Sequence, residues 1–174
     1  GQAAGTADAA QRTRAPAATD GASPVVRMAL PLAPNERIPA SVQGALAIAP
    51  AGDMLAYVVE DADGSRVMLR RTADLTARVL IDHGVRDLLV SPDGAQLYYR
   101  EGPEIRRVSL AGGETQRVAT PPSTRSNSGL AWGAPDTLLL GTQRGLFAVA
   151  VASGTERRVD PEGVLNGARY PVLL

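Results

Sequence analysis

The residue types of a nucleophilic triad lie close together in the middle of the chain. His83, the one histidine, follows Asp82, and Ser91 and Asp93 come a few positions later. A serine nucleophile needs a base that a carboxylate orients, and these side chains could supply both. The competing interpretation is structural, because Ser-Pro-Asp-Gly is a turn sequence. We favour the turn and predict that this chain carries no catalytic residue.

Two further carboxylates, Asp61 and Asp63, could offer oxygen ligands to calcium. The segment lacks the additional ligands and the distal glutamate of an EF-hand loop. It also reads Asp-Ala-Asp-Gly between two β-rich runs, which is typical of a hairpin turn. We therefore expect a hairpin here, with no metal site and no cofactor.

Composition excludes several classes of function. The chain has no cysteine, and its 18 basic residues are all arginine. The missing lysine rules out a P-loop or kinase lysine and Schiff-base chemistry, and the missing cysteine rules out disulfides and thiolate sites. A net charge of zero argues against nucleic acid as a partner. No apolar run approaches the roughly 18 residues of a membrane span, so we predict no span within this chain.

The elements that position these residues form an internal repeat. A polar turn that leads into an apolar strand occurs at residues 91–99 and again, in altered forms, at residues 50–57 and 134–140. The equivalent positions Pro50, Pro92 and Ala134 are 42 residues apart each time. Such a period indicates a repeat architecture, in which neighbouring units bury faces that one unit cannot bury alone.

Each repeat contains four short apolar runs separated by turns. Four antiparallel strands in every forty-odd residues are typical of propeller blades. We predict an all-β fold, a partial β-propeller of about three and a half four-stranded antiparallel blades. The predicted organisation is a disordered Ala/Pro-rich linker (1–24), a leading strand and turn (25–40), three blades (41–83, 84–126 and 127–163) and the start of a truncated fourth blade (164–174).

The predicted blades suggest roles for the remaining conspicuous residues. Adjacent strand residues face opposite ways, so the pairs beginning at Arg70, Arg106 and Arg157 should be split across solvated faces and form no anion site. Trp132 and Phe147 should pack between blades. The polar segment between the second and third blades is our candidate interaction loop, with Ser123, Thr124, Arg125, Ser126 and Asn127 as its candidate contact residues.

The blade motif resembles the TolB-like, PD40-type (WD40-like) β-propeller family. Residues 91–94 read Ser-Pro-Asp-Gly and lead to Tyr98 and Tyr99, and residues 49–57 are a weaker copy. Further segments resemble the C-terminal propeller of bacterial receptor-like serine/threonine protein kinases. These segments are residues 24–27, 30–31, 69–71, 108–114, 130–133 and 145–149.

The kinase resemblance implies a non-catalytic sensor or protein-interaction module on the extracytoplasmic side of a bacterial membrane, with a cytoplasmic location left open. The kinase domain and a membrane span would precede residue 1, and no kinase motif occurs in this chain. Two alternatives remain, a TolB-like envelope propeller that binds proteins and the gating propeller of a prolyl-oligopeptidase-type serine peptidase. The partner, a protein or a small ligand, is unspecified. Self-association through open blades is also expected, because uncovered sheets and edges pair with other chains.

Overall fold

The computed structural model describes residues 27–30, 32–40, 42, 44–121, 129–142 and 145–160. These residues form twelve β-strands and no helix. Three predicted segments lie largely or wholly outside the described residues: the linker at 1–24, the candidate interaction loop at 123–127 and the start of a fourth blade at 164–174.

The strands form three antiparallel sheets, each with its four strands in sequence order. The first sheet contains β1 (Leu46–Ile48), β2 (Met54–Asp61), β3 (Gly64–Arg71) and β4 (Arg78–Ile81). The second contains β5 (Arg86–Val90), β6 (Gln96–Glu101), β7 (Glu104–Ser109) and β8 (Gln116–Ala119). The third contains β9 (Leu130–Ala134), β10 (Thr137–Thr142), β11 (Gly145–Ala150) and β12 (Glu156–Arg158).

The repeated turn has the same backbone in the first two sheets. In the second sheet the Ser91 N–H donates to the Gln96 carbonyl at 2.9 Å, and in the first the Ala49 N–H donates to the Met54 carbonyl at 2.9 Å. A glycine three residues after Ser91 or Ala49 has φ of 71° in both cases. Only glycine adopts this left-handed conformation at low cost, so the glycine of the motif is fixed by the turn itself.

The first two sheets pack face to face. Strand residues of the first sheet such as Val58 and Val67 belong to one buried apolar cluster with Leu97 and Tyr99 of the second. All four of these side chains have essentially no exposure to solvent. Small and β-branched side chains bring the two sheets close together, as propeller blades require.

The second and third sheets enclose another apolar cluster. It includes Tyr98 and Ile105 from the second sheet and Leu138, Leu140 and Val149 from the third. Neighbouring strand residues face opposite ways, which places Tyr98 in this cluster and the adjacent Tyr99 in the preceding one. The second sheet is therefore buried on both faces, whereas a single blade alone would leave both uncovered.

A segment ahead of β1 covers the other face of the first sheet. Three of its apolar side chains pack against three strand residues of β2: Met28, Leu30 and Leu32 lie over Leu55, Tyr57 and Val59. The Arg70 guanidinium crosses from β3 and donates to the Ala29 carbonyl at 2.5 Å. We call residues 28–32 the N-terminal strap.

The predicted leading strand and turn at residues 25–40 are described only in part, because residues 25, 26 and 31 lie outside the described residues. Residues 27–30 and 32–40 contain only an isolated antiparallel bridge, between Arg37 and Glu60. Prolines at positions 31, 34 and 39 lack the N–H groups that a paired strand would donate. The described residues of this segment stabilise the sheet through apolar contacts and an arginine hydrogen bond.

The architecture confirms the predicted all-β partial propeller. The first strands of successive sheets, β1, β5 and β9, contact one another in order. Strands nearest to a propeller axis have this arrangement, and the later strands of each blade lie progressively further out. Three four-stranded blades are present in the described part of the chain.

Candidate functional site

The residues that could form a nucleophilic triad do not come together. His83 contacts two carboxylates, with Nδ1 at 3.1 Å from Asp82 and Nε2 at 3.3 Å from Glu101. The Ser91 hydroxyl instead donates to Asp93 at 2.5 Å, within the turn. His83 precedes β5 and Ser91 follows it, so a strand of roughly 13 Å at about 3.3 Å per residue separates them.

The Ser91 turn is held by its side chains as well as its backbone. Asp93 also accepts the Ala95 N–H at 2.9 Å, and the Ser91 oxygen accepts the Gln96 N–H at 2.9 Å. The Ser91 hydroxyl and the Ala95 N–H hold the pKa of Asp93 below its ordinary value. These contacts give both residues a structural role as turn formers.

Asp61 and Asp63 lie at the predicted hairpin, where Asp61 pairs with Gly64 across the turn. One Asp61 oxygen accepts the Asp63 N–H at 2.9 Å, and the other pairs with Arg66 at 2.8 Å. The hydrogen bond from Arg66 lowers the pKa of Asp61. Within the described residues, no group of three histidine, aspartate or glutamate side chains is arranged to hold a metal ion.

The arginine pairs split across sheet faces, but one member is not solvated as predicted. Arg106 pairs across the sheet with Tyr99 and Arg107 with Tyr98, so the two point to opposite faces. Arg70, by contrast, is 9% exposed and donates to the carbonyls of Asp74 and Ala29. It is buried because the N-terminal strap covers its face of the first sheet.

A concave cleft of about 590 Å³ lies where the second and third sheets diverge. The turn after β5, the outer ends of β7 and β8, and the start of the third blade surround it. Its volume lies within the range typical of ligand sites, about 300–1,000 Å³. We call it the inter-blade cleft, and its central lining residues are Gln96, Tyr98, Arg107, Glu114, Gln116 and Trp132.

The cleft forms because one sheet face changes from apolar to polar along its strands. Ile105 and Tyr98 of the second sheet are buried against the third sheet. The same face continues through Gln96 and Arg107, which line the cleft. Burying polar side chains between two sheets costs free energy when they lose bound water and gain no hydrogen-bond partner. The blades therefore pack tightly up to Tyr98 and separate beyond it.

Trp132 forms one wall of the cleft and is held in place from two sides. Its indole N–H donates to the Val90 carbonyl at 2.7 Å, across the boundary between blades. Its ring meets Tyr98 edge to face, with centroids 5.0 Å apart and planes at 85°. The predicted packing role of Trp132 and Phe147 is confirmed, since both lie against the cluster between the second and third sheets. The role of Trp132 in the cleft was not predicted.

A similar cleft between the first and second blades has different chemistry. It has a volume of about 460 Å³, and Met54, Arg71, Asp74 and Arg78 are among its lining residues. The Arg78 guanidinium spans the two blades and donates to the Leu110 carbonyl at 2.5 Å. Its lining contains no aromatic side chain among the residues with a described position. The inter-blade cleft beside Trp132 is therefore the better candidate for a binding site.

A buried ion pair, missed by the sequence analysis, lies at the start of the second blade. Asp87 and Arg100 are 6% and 1% exposed, and their closest charged atoms are 3.4 Å apart. Asp87 has φ of 56°, and its Cα lies directly beside Gly44 of the first blade. Burial raises the pKa of Asp87 to about 6, although Arg100 and Arg86 oppose the shift. The contact between Asp87 and Arg100, at 3.4 Å, does not offset the free-energy cost of removing the Asp87 carboxylate from water.

Comparison with known proteins identifies the fold alone. No family model matches the sequence, and no curated protein matches it. TolB from Acinetobacter baumannii has a similar structure, with a TM-score of 0.56 and 17% identity over 66% of this chain and 31% of that one. The AtxE2 isopeptidase gives 0.53 with 14% identity over 75% and 31% of the two chains, and a nidogen/laminin complex gives 0.52 with 19% over 64% and 45%.

The chain thus spans less than half of the length of each of these proteins. The likeness to TolB supports a TolB-like β-propeller fold. In the described part of the chain, no helix has the length and apolar character that crossing a bilayer requires.

Proposed function

We propose that this chain is part of a non-catalytic β-propeller that binds protein partners, carried as an extracytoplasmic sensor module by a bacterial serine/threonine kinase. The observation that carries the proposal is the inter-blade cleft, an open polar site with a fixed tryptophan. The side chains that could have formed a nucleophilic triad are used in a turn and in surface contacts between His83 and two carboxylates. Binding is therefore the function that the described residues support best.

The assignment to a kinase rests on sequence resemblance. The segments at residues 24–31 and 130–133 are similar to the C-terminal propeller of receptor-like kinases. The open reading frame upstream of this segment tests that part of the proposal. A kinase domain followed by a membrane span is expected there, and a frame without a kinase domain would contradict it.

A second candidate is a TolB-type propeller that acts in the cell envelope through protein contacts alone. The structural similarity to TolB from Acinetobacter baumannii favours it. A third candidate is the gating propeller of a serine peptidase, and the similarity in fold to an isopeptidase favours that one. A downstream Gly-x-Ser-x-Gly sequence in the parent gene would distinguish the third from the other two.

The binding function is tested with the full chain immobilised and exposed to a random peptide library. Selected peptides are resynthesised and titrated by calorimetry. We expect saturable one-to-one binding, together with no cleavage of the same peptides. A library that yields no specific binder, or peptides that are turned over, would contradict the proposed function.

Self-association through uncovered blade surfaces is a further part of the proposal. The N-terminal strap covers the centre of one face of the first sheet, but its margins remain open. Leu46, Ile48 and Val79 are 44%, 60% and 47% exposed there. Light scattering behind a sizing column across a concentration series is expected to show dimers or larger species. A monomer at every concentration would contradict it.

A further inference from the structure

We propose that the inter-blade cleft binds the cationic side chain of an arginine or lysine in a partner peptide. This inference rests on the proposed function and adds the chemistry of the partner. It follows from three properties of the cleft: the balance of its charges, the groups that are already hydrogen-bonded, and the fixed position of its aromatic wall.

The charges of the cleft favour a cation. Asp93 and Glu114 carry two negative charges in its lining, and among the residues that the structure describes Arg107 is the one positively charged lining residue. Asp93 is held in its ionised form by the Ser91 hydroxyl and the Ala95 N–H, both of which reach the same carboxylate oxygen. Within the described part of the chain, Glu114 makes no ion pair or hydrogen bond. Both carboxylates can therefore face a guest of opposite charge.

Arg107 does not cancel this preference. Its Nε and Nη2 groups both donate to the Gln116 side-chain oxygen, at 3.1 and 2.9 Å. The two residues also pair directly across β7 and β8, so the strand register maintains the contact. Two of the guanidinium nitrogens are thus engaged within the protein, which reduces what Arg107 can offer to an anionic guest.

Trp132, which lines the cleft, supplies the aromatic side chain for a cation–π contact. Tryptophan is the best aromatic partner for a guanidinium or ammonium group, because its ring carries the largest negative potential on its faces. The hydrogen bond to Val90 and the contact with Tyr98 fix the ring before any guest arrives. A side chain that is already ordered loses little entropy on binding. The cleft thus combines negative charge with a preorganised ring.

Trp132 is the one tryptophan of the protein, so a change in tryptophan emission reports directly on the cleft. The probes are pentapeptides with capped ends and alanine at every position except the third. Arginine, lysine, citrulline or glutamate occupies that position. Citrulline matches the shape of arginine but has no charge, so it separates charge from size. Tryptophan emission and calorimetry are followed together on the full chain.

We expect the arginine and lysine peptides to change Trp132 emission saturably. The citrulline peptide should bind about five-fold or more weakly, within the range expected for losing a cation–π contact. Binding of the cationic peptides should weaken further as salt is added, because exposed charges are screened. Equal affinity for arginine and citrulline peptides, or tighter binding of the glutamate peptide, would overturn the inference.

Variants test the carboxylates directly. Glu114→Gln should weaken arginine-peptide binding about three-fold, a loss typical of a partly exposed ion pair. Asp63→Asn removes another exposed carboxylate, from the hairpin after β2, and should leave arginine-peptide binding unchanged. Asp93→Asn keeps an oxygen that can accept the turn hydrogen bonds and provides a second test. Unchanged affinity in both cleft variants, measured on folded protein, would overturn the inference.

The outcomes also separate this inference from the proposed function. If library-selected peptides bind but leave Trp132 emission unchanged, or carry no basic residue, the binding function stands and the cationic site is refuted. If neither the designed peptides nor the library gives a binder, both proposals fail.

Discussion

Replacing Asp87 with asparagine should remove a pH-dependent part of the stability of the propeller. The Asp87 carboxyl is buried beside Arg100, and burial raises its pKa from 3.8 to about 6. Asparagine has nearly the same shape, tolerates the positive φ of 56° at this position and does not titrate. The substitution therefore changes the titration with little change in packing.

The direction and size of this pH dependence follow from the thermodynamic linkage between proton binding and folding. The folded protein holds the Asp87 proton more tightly than the unfolded chain, so this group stabilises the fold most at low pH. That contribution is present below about pH 4 and is lost as the pH rises through about 6. A shift of roughly two pKa units corresponds to about 3 kcal/mol in the free energy of unfolding.

Urea unfolding monitored by Trp132 fluorescence, at several values between about pH 4 and about pH 7, measures this effect. The quantity of interest is the wild-type free energy of unfolding minus that of Asp87→Asn. It should fall by about 2.5 kcal/mol from the acidic to the neutral end of this range, slightly less than the full effect because the unfolded carboxyl is already partly ionised at pH 4. Taking this difference cancels the titration of all carboxyl groups that the two proteins share.

Asp82→Asn is the matched control, since Asp82 is 90% exposed and its pKa is lowered by the hydrogen bond to His83. A group with a lowered pKa loses its contribution only as the pH falls below its ordinary value. This variant should therefore track the wild type across most of the range. A constant difference between wild type and Asp87→Asn would refute the reasoning, and so would a difference that grows with pH.

Three further substitutions test packing between blades and the repeated turn. Gly154→Ala should cost about 3 kcal/mol or more, because an added Cβ would lie 2.4 Å from the Val118 carbonyl oxygen of the preceding blade. Gly52 has φ of 71° and no atom within 4 Å of an added Cβ, so Gly52→Ala should cost only about 1–2 kcal/mol for its left-handed backbone. Thermal unfolding compares the two variants, and equal losses of stability for Gly154→Ala and Gly52→Ala would contradict the expected difference. Ser91→Ala should cost about 1 kcal/mol and leave the turn unchanged, because Ala49 forms the same backbone turn without a hydroxyl. Loss of the folded state would instead show that the Ser91 side-chain hydrogen bonds are essential.

The strands could be predicted from the sequence because their patterns are local. Apolar runs bounded by glycine and polar turns indicate strands, and β5, β7 and β11 coincide with such runs at residues 86–90, 104–109 and 145–150. The alternation of side chains also separated Arg106 from Arg107 correctly. Because the turn motif recurs every 42 residues and each interval contains four apolar runs, the strands could be grouped in fours.

The parts that could not be predicted depend on contacts between distant segments. Arg70 is buried because residues forty positions earlier in the chain cross its face of the sheet, and its own neighbours in the sequence do not reveal this. Asp87 occupies a bulge between β5 and β6, which an alternating pattern does not show. Trp132 was correctly predicted to pack between blades. Its role in a cleft depends on where two sheets diverge.

The N-terminal strap also affects the order in which the protein can fold during synthesis. The ribosome completes residues 28–32 before it makes the first sheet, so the cover for one apolar face exists when β2 and β3 emerge. The opposite face of that sheet remains open until the second blade follows. Each new blade then covers the face left by its predecessor. During elongation the nascent chain therefore exposes one large apolar sheet face at a time. Because each face is covered soon after it forms, misassociation with other chains is limited.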